Sequence, residues 1–133
     1  MNKKSYQGLQ GEIRDWKTPD IETFENIYSD RDFEIVMAYP EFSCICPKTG
    51  LPDLATLTLT YVPDKLCLEL KSFKEYLLVY RNKGIFHENV VNKVMDDIIK
   101  AVKPRRLKLE GKFNSRGGIQ TTVVRDYSGR KKN

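Results

Sequence analysis

A single histidine, a single tryptophan and three cysteines are all that 133 residues offer of the side chains that usually build metal clusters and disulfide frameworks. An odd cysteine count suits reduced thiols, and Cys44 and Cys46, one residue apart, would close only a strained ring on oxidation. Apolar runs extend a few residues, far from the roughly 20 that cross a bilayer. Met1-Asn2-Lys3-Lys4 is basic, but no apolar stretch follows, so a secretory signal is not expected and a cytoplasmic protein without membrane contact is. There is no Gly-x-Gly-x-x-Gly segment, which argues against a Rossmann mode of dinucleotide binding. Internal repeats and low-complexity tracts are missing too.

What is present has the composition of one ordinary globular domain over 1–133, with 40% hydrophobic and 31% charged residues. The net charge of +5 is unevenly placed. Residues 103–132 hold ten Lys or Arg against Glu110 and Asp126, a local +8 that leaves −3 elsewhere. Such a stripe attracts phosphates, although Arg130-Lys131-Lys132, in a basic tail over 128–133, is read as solvated.

Periodicity orders the rest. Residues 1–30 are polar, contain Pro19, and read as an arm that orders, if at all, against a neighbour. Phe33, Ile35 and Met37 alternate, a loop is expected over 40–52, and Ala55 to Tyr61 alternates as a strand with one wet face. After Pro63-Asp64 the chain returns through Leu66, Leu68 and Leu70 as a short strand partner. Phe73, Tyr76, Leu77 and Tyr80 have helical spacing, with Ser72 as candidate cap and Gly84 as terminator. A second helix from about 86 turns Val91, Val94, Met95, Ile98 and Val102 to one face and stops at Pro104. Leu107 to Gly111 and Ile119 to Tyr127 make two further strands around a Gly117-Gly118 turn. The expected class is α+β: a four-stranded antiparallel sheet with two helices on one face and open edges that invite another copy.

The chemistry-bearing residues sit at the ends of these elements. Ser43-Cys44-Ile45-Cys46-Pro47-Lys48-Thr49-Gly50-Leu51-Pro52-Asp53 places a thiol and a carboxylate seven residues apart, and Glu69-Leu70-Lys71-Ser72-Phe73-Lys74 and Phe86-His87-Glu88 follow. Cys-Pro-Lys-Thr-Gly-x-Pro-Asp at 46–53, Glu-x-Lys-Ser-x-Lys at 69–74, Phe-His-Glu at 86–88, Arg81-Asn82, Gly111-Lys112-Phe113 and Arg116-Gly117-Gly118 together resemble the short, single-unit NADPH-dependent 7-cyano-7-deazaguanine reductases, the QueF family of queuosine biosynthesis. The resemblance implies a tunnelling fold assembled into an oligomeric barrel of pentameric rings that pair as decamers. It also implies reduction of the nitrile 7-cyano-7-deazaguanine to the 7-aminomethyl base with two NADPH, and no direct role for nucleic acid.

It further implies roles for residues. A nitrile carbon is a modest electrophile that a thiolate attacks to form a thioimide, and Cys46 is the candidate nucleophile. Cys44 and Cys67 are read as small buried hydrophobes. Asp53 is the implied acid/base group, with a turn residue as its plain alternative. His87, at a helix start, is a hydrogen-bonding group or proton carrier. Glu88 would bind the guanine-like edge of the substrate, Phe86 would stack on the ring or simply pack, and Glu69 and Leu70 complete the substrate set. Lys71, Ser72 and Lys74, together with the amides of a helix N-terminus, suit the cofactor phosphates, and Arg116 adds charge for them. No metal is expected. Two other readings remain open: a zinc-dependent pterin enzyme related to GTP cyclohydrolase, using Cys44, Cys46 and His87, and a non-catalytic RNA-binding module using the basic C-terminal third.

Overall fold

Strict alternation along one central strand sets the architecture. In the computed structural model, which describes Ile13 and residues 16–129, the order is β1 (Thr23–Glu25), β2 (Ile35–Ile45), β3 (Pro52–Val62), β4 (Leu66–Leu68), α1 (Leu70–Leu78), a 3-10 turn (Val79–Asn82), α2 (His87–Val102), β5 (Arg106–Phe113) and β6 (Thr122–Ser128). Strands β2, β3, β5 and β6 form an antiparallel sheet in that order, so β3 and β5 are central and β2 and β6 are edges. Asp53, Ala55, Leu57, Leu59 and Tyr61 of β3 are buried on one face, while Thr56, Thr58 and Thr60 lie partly exposed on the other. The helices cover the first face, giving the α+β class that periodicity implied. Val90, Val91, Val94, Met95, Ile98 and Val102 of α2 join Leu107, Leu109 and Phe113 of β5 in one core. Each fully buried side chain of this kind contributes about 1.5–3 kcal/mol. Gly111 on β5 lies close against α2: a Cβ there would stand 2.7 Å from Val91 Cγ2 and 3.2 Å from the Phe113 ring.

Several local expectations are corrected. The short strand β4 pairs with β1 (Thr23 opposite Leu68, Glu25 opposite Leu66) rather than with the strand before it. Strand β3 has both sides occupied, by β2 and β5, so β4 must find another partner. That pairing also places residues 23–25 of the expected arm against their own chain, and Trp16 packs beside Tyr80 at 6.4 Å between ring centroids. Residues 1–12, 14–15 and 130–133 lie outside the described residues, and Ser128 belongs to β6 rather than to a tail. The expected loop over 40–52 is mostly strand: β2 continues to Ile45 and β3 begins at Pro52. Helix α1 stops at Leu78 instead of continuing to Gly84, because the chain tightens into the 3-10 turn and Gly84 then bridges Ile45 of β2. Its cap is Glu69 and not Ser72.

A polar network invisible to periodicity ties the helices together. Tyr76 donates its hydroxyl to Asp97 Oδ2 and shares a 2.9 Å bond with Tyr80, while Lys93 reaches Asp97 Oδ1 at 3.0 Å. Burial, with the Tyr80 and Asp97 groups alongside, pushes the Tyr76 hydroxyl far above the ordinary phenol value, so it stays a donor at any working pH. Among the described residues, no helix is long and apolar enough to cross a membrane.

Candidate active site

The position of Cys46 is decided by a bulge. On β2, Ile35, Met37 and Tyr39 lie opposite Tyr61, Leu59 and Leu57, and then the register slips so that Phe42 meets Ala55 and Cys44 meets Asp53. One extra residue around Pro40 and Glu41 inverts the side-chain phase of the strand. Pro40, which has no N–H to donate, is tolerated there because β2 is an edge. Without the slip, Glu41 and Ser43 would point into the core; with it, Phe42 and Cys44 are buried on the helix side. Cys46, two residues on, lies just past the end of the strand.

A tight turn follows. The Cys46 amide donates to the Leu51 carbonyl (2.8 Å), the Gly50 amide donates to the Cys46 carbonyl (2.8 Å), and Gly50 takes φ +74°. Cys46 is partly buried. Burial works to raise its thiol pKa, as does the nearby Asp53 charge, but hydrogen bonds from the Thr49 hydroxyl and from the Thr49 and Lys48 amides prevail and hold it below the ordinary thiol value. Cys44 is the opposite case. Burial first, and then the Asp53 and Cys46 charges, push its thiol up to about 12, and its Sγ lies 3.8 Å from the Ile85 carbonyl. Two thiols two residues apart are thus divided, one held below the ordinary thiol value and the other well above it.

The same strand end gathers the partners. Ile45 donates to the Lys83 carbonyl (2.9 Å) and accepts from the Ile85 amide (3.0 Å), which fixes the segment leading into α2. His87, the first residue of α2, therefore emerges beside β3, with Nε2 at 3.0 Å from Asp53 Oδ2. Its ring stacks on Phe113, with centroids 3.8 Å apart and planes 8° from parallel. Asp53 is buried, and Arg116 takes its second oxygen, Nε to Oδ1 at 2.7 Å, while an Arg116 Nη donates to the Pro52 carbonyl. Glu88 is exposed one residue along α2, and Phe86 is half-buried in the cap position, its carbonyl accepting from Asn89 and Val90. Cys46, Asp53, His87, Phe86 and Glu88 thus lie at one end of the sheet.

The segment 69–74 does not join them within the subunit. The Tyr61 hydroxyl accepts the Leu68 amide (2.9 Å), so α1 starts beside the far end of β3. Asp53 and Tyr61 are eight residues apart on that strand, which at ~3.3 Å per residue is on the order of 25 Å. The carboxylate of Glu69 accepts from Lys71 N (2.9 Å) and Ser72 N (2.7 Å), bonds that hold it below the usual carboxylate range. Those amides are therefore not available to a phosphate. The Ser72 hydroxyl is buried, accepting from Glu22 N and donating to the Glu69 carbonyl. Leu70, Lys71 and Lys74 are exposed. The chemistry left for a polyanionic cofactor is the pair of lysine ammoniums, which fits phosphate binding through side chains rather than through the helix terminus. Arg116, expected to add charge beside the lysines, meets Asp53 within the subunit. Sequence reading also missed Phe113 and Thr49. Both lie inside segments quoted for the resemblance, Cys-Pro-Lys-Thr-Gly and Gly-Lys-Phe, but the sequence does not show that Phe113 is the floor under His87.

Comparison with known proteins gives the family. Residues 52–132 match the family model described as QueF-like protein. The chain is 56% identical over 111 residues to the NADPH-dependent 7-cyano-7-deazaguanine reductase of Chloroherpeton thalassium, covering 84% of this chain and 96% of the relative. It is 55% identical over 107 residues to the enzyme of that name from Nitrosomonas europaea, covering 80% of this chain and 77% of the relative. The crystal structure of an apo archaeosine synthase QueF-Like superimposes with TM-score 0.64 at 23% identity, over 76% of this chain and 96% of that one, and shares the fold. With relatives this close over most of their length, the pterin-hydrolase and RNA-module readings fall away. The chain belongs to the NADPH-dependent 7-cyano-7-deazaguanine reductase family.

Proposed function

We propose that this protein reduces 7-cyano-7-deazaguanine to 7-aminomethyl-7-deazaguanine with two NADPH, through a thioimide on Cys46. The supporting observation is that a thiol of lowered pKa, a buried carboxylate and the only histidine come together from β2, β3 and α2. The Cys46 sulfur adds to the nitrile carbon, and one carbon–nitrogen π bond becomes a lone pair on nitrogen. Asp53 receives the proton of the thiol and passes it to that nitrogen, so the adduct step is balanced without an outside acid. His87, donating to Asp53 Oδ2, holds the carboxylate in place and carries protons for the later stages. Glu88 binds the ring N–H and exocyclic amine of the base, and Phe86 stacks on or packs beside the heterocycle. NADPH, when bound, supplies the hydrides; two hydrides and two protons convert the nitrile to the amine.

Lys71 and Lys74 bind the cofactor phosphates, and Glu69 and Leu70 border the substrate, from a neighbouring subunit. The distance between the two ends of β3 requires this if all these residues act at one site. Strands β2 and β6 are edges of the subunit sheet, and we read them as pairing between copies to close a barrel of the tunnelling-fold kind, as pentameric rings or pairs of rings. The reaction is placed in the cytoplasm, where thiols stay reduced. The test mixes protein, nitrile and NADPH and follows NADPH absorbance. Oxidation should depend on the nitrile and vanish in Cys46→Ala, which should keep its far-UV spectrum but form no adduct by mass. Full turnover by Cys46→Ala would overturn the assignment.

A further inference from the structure

We propose that Asn92 and Arg125 are positioning residues for Glu88. Asn92 pins the first turn of α2, and Arg125, on the edge strand β6, fixes the direction in which the Asn92 amide faces. The inference rests on the reading of Glu88 as the residue that binds the guanine-like edge of the base.

The turn that carries Glu88 has no side-chain cap. Phe86 occupies the cap position and gives the helix no side-chain hydrogen bond. A helix end of that kind keeps unsatisfied amides and frays. His87, the first residue, is held from outside by Asp53 and by the Phe113 ring. Glu88, the second, is exposed. Its carbonyl accepts from Asn92 Nδ2 at 2.8 Å, in addition to the helix's own bond. A carboxylate that must meet a ring N–H and an exocyclic amine together tolerates little displacement of the turn beneath it.

Glu88, Asn92 and Asp96 stand at i, i+4 and i+8, one stripe along α2. Arg125 reaches this stripe from β6: Nη1 lies 3.1 Å from Asn92 Oδ1 and 2.8 Å from Asp96 Oδ1. An amide side chain has one accepting and one donating end, whereas a guanidinium only donates. Arg125 therefore takes the oxygen of Asn92 and leaves Nδ2 for the Glu88 carbonyl. The Arg125 and Asp96 side chains are 33% and 56% exposed, so their ion pair contributes little to stability by itself. Val90, Val91, Val94, Met95 and Ile98 secure the helix on its buried face, so cutting the stripe leaves the fold in place.

Base binding is read apart from chemistry in Cys46→Ala, which forms no adduct. Its affinity for 7-cyano-7-deazaguanine is measured by calorimetry after adding Asn92→Ala, Asn92→Asp, Arg125→Ala, Arg125→Lys or Glu88→Gln, all compared in one state of assembly by native mass spectrometry. Asn92→Ala and Arg125→Ala should each weaken binding about five- to tenfold, the scale of one lost hydrogen bond. Asn92→Asp keeps an acceptor for Arg125 but has no N–H to give, and should lose as much as Asn92→Ala. Arg125→Lys should recover part of the affinity. Glu88→Gln should weaken binding at least as far, and Asn92→Ala added to it should cost nothing more, because the amide acts through the carboxylate. With Cys46 restored, adduct formation needs no hydride and is followed by absorbance without NADPH. The loss in the Asn92 variants should then lie in the half-saturating nitrile concentration rather than in the rate at saturation. Wild-type affinity in Asn92→Ala beside a weakened Glu88→Gln would overturn the proposal and leave Arg125–Asp96 a surface contact. An undiminished loss from Asn92→Ala on top of Glu88→Gln would overturn it as well, since the amide would be acting elsewhere. Wild-type affinity in Glu88→Gln is the separate failure: the base-binding reading itself would fall, and the positioning role with it.

Discussion

Cys46 and Cys44 share a strand end and differ in what their sulfur meets. Cys46 has a turn of donors in front of it, from Thr49 and Lys48, whereas Cys44 has the core and two nearby acidic groups. Because the thiolate is the reactive form, Cys46 should alkylate with a rate that rises with pH through a midpoint below that of free cysteine, about 8.5. Cys44, held up to about 12, should stay unmodified throughout that range. Thr49→Ala removes a donor to the thiolate and should move the Cys46 midpoint upward. Peptide mapping after pulsed iodoacetamide at a series of pH values gives both profiles. A Cys46 midpoint at or above the free-cysteine value would contradict the role given to the turn.

At the scale of elements, β5 and α2 meet where a side chain has no room. Gly111 leaves space for Val91 Cγ2, and its neighbour Phe113 forms the surface on which His87 lies. Gly111→Ala should cost about 1–3 kcal/mol by overpacking, read as a lower denaturation midpoint with an unchanged slope. It should also slow adduct formation, since the Phe113 ring stands 3.2 Å from the new methyl and His87 moves with it. A stable variant with wild-type adduct kinetics would show that the helix start is not held through Phe113. The start of the helix would then be placed by the Ile45 bonds to Lys83 and Ile85 and by the His87–Asp53 contact.

The whole molecule separates two sets of residues that the proposed reaction needs together. Cys46, Asp53 and His87 are at one end of β3, and Lys71 and Lys74 are beside the other. If neighbouring copies supply the two halves, two inactive variants should complement each other. Cys46→Ala and the double variant Lys71→Ala/Lys74→Ala, dissociated, mixed and reassembled, should regain a fraction of wild-type turnover, because some interfaces pair two intact halves. No recovery from mixtures shown by native mass spectrometry to contain both chains would mean that each site is built within one subunit.

The amino-acid sequence by itself determined the alternation of β3, the apolar face of α2, the Gly117-Gly118 turn and the segments around Cys46, Asp53 and His87. All of these are local patterns of period two or 3.6, or short motifs, and they need no knowledge of what lies across the core. Tertiary structure alone decided the rest. Only pairing with β3 reveals the one-residue slip on β2 that turns Phe42 and Cys44 inward, since a bulge is a relation between two strands. Only the packed chain shows that β4 must pair with β1, that Glu69 accepts from the first α1 amides, and that Arg116 meets Asp53. Each of these is a competition for one partner among groups far apart in the chain, and it is settled by which contacts can be made at the same time.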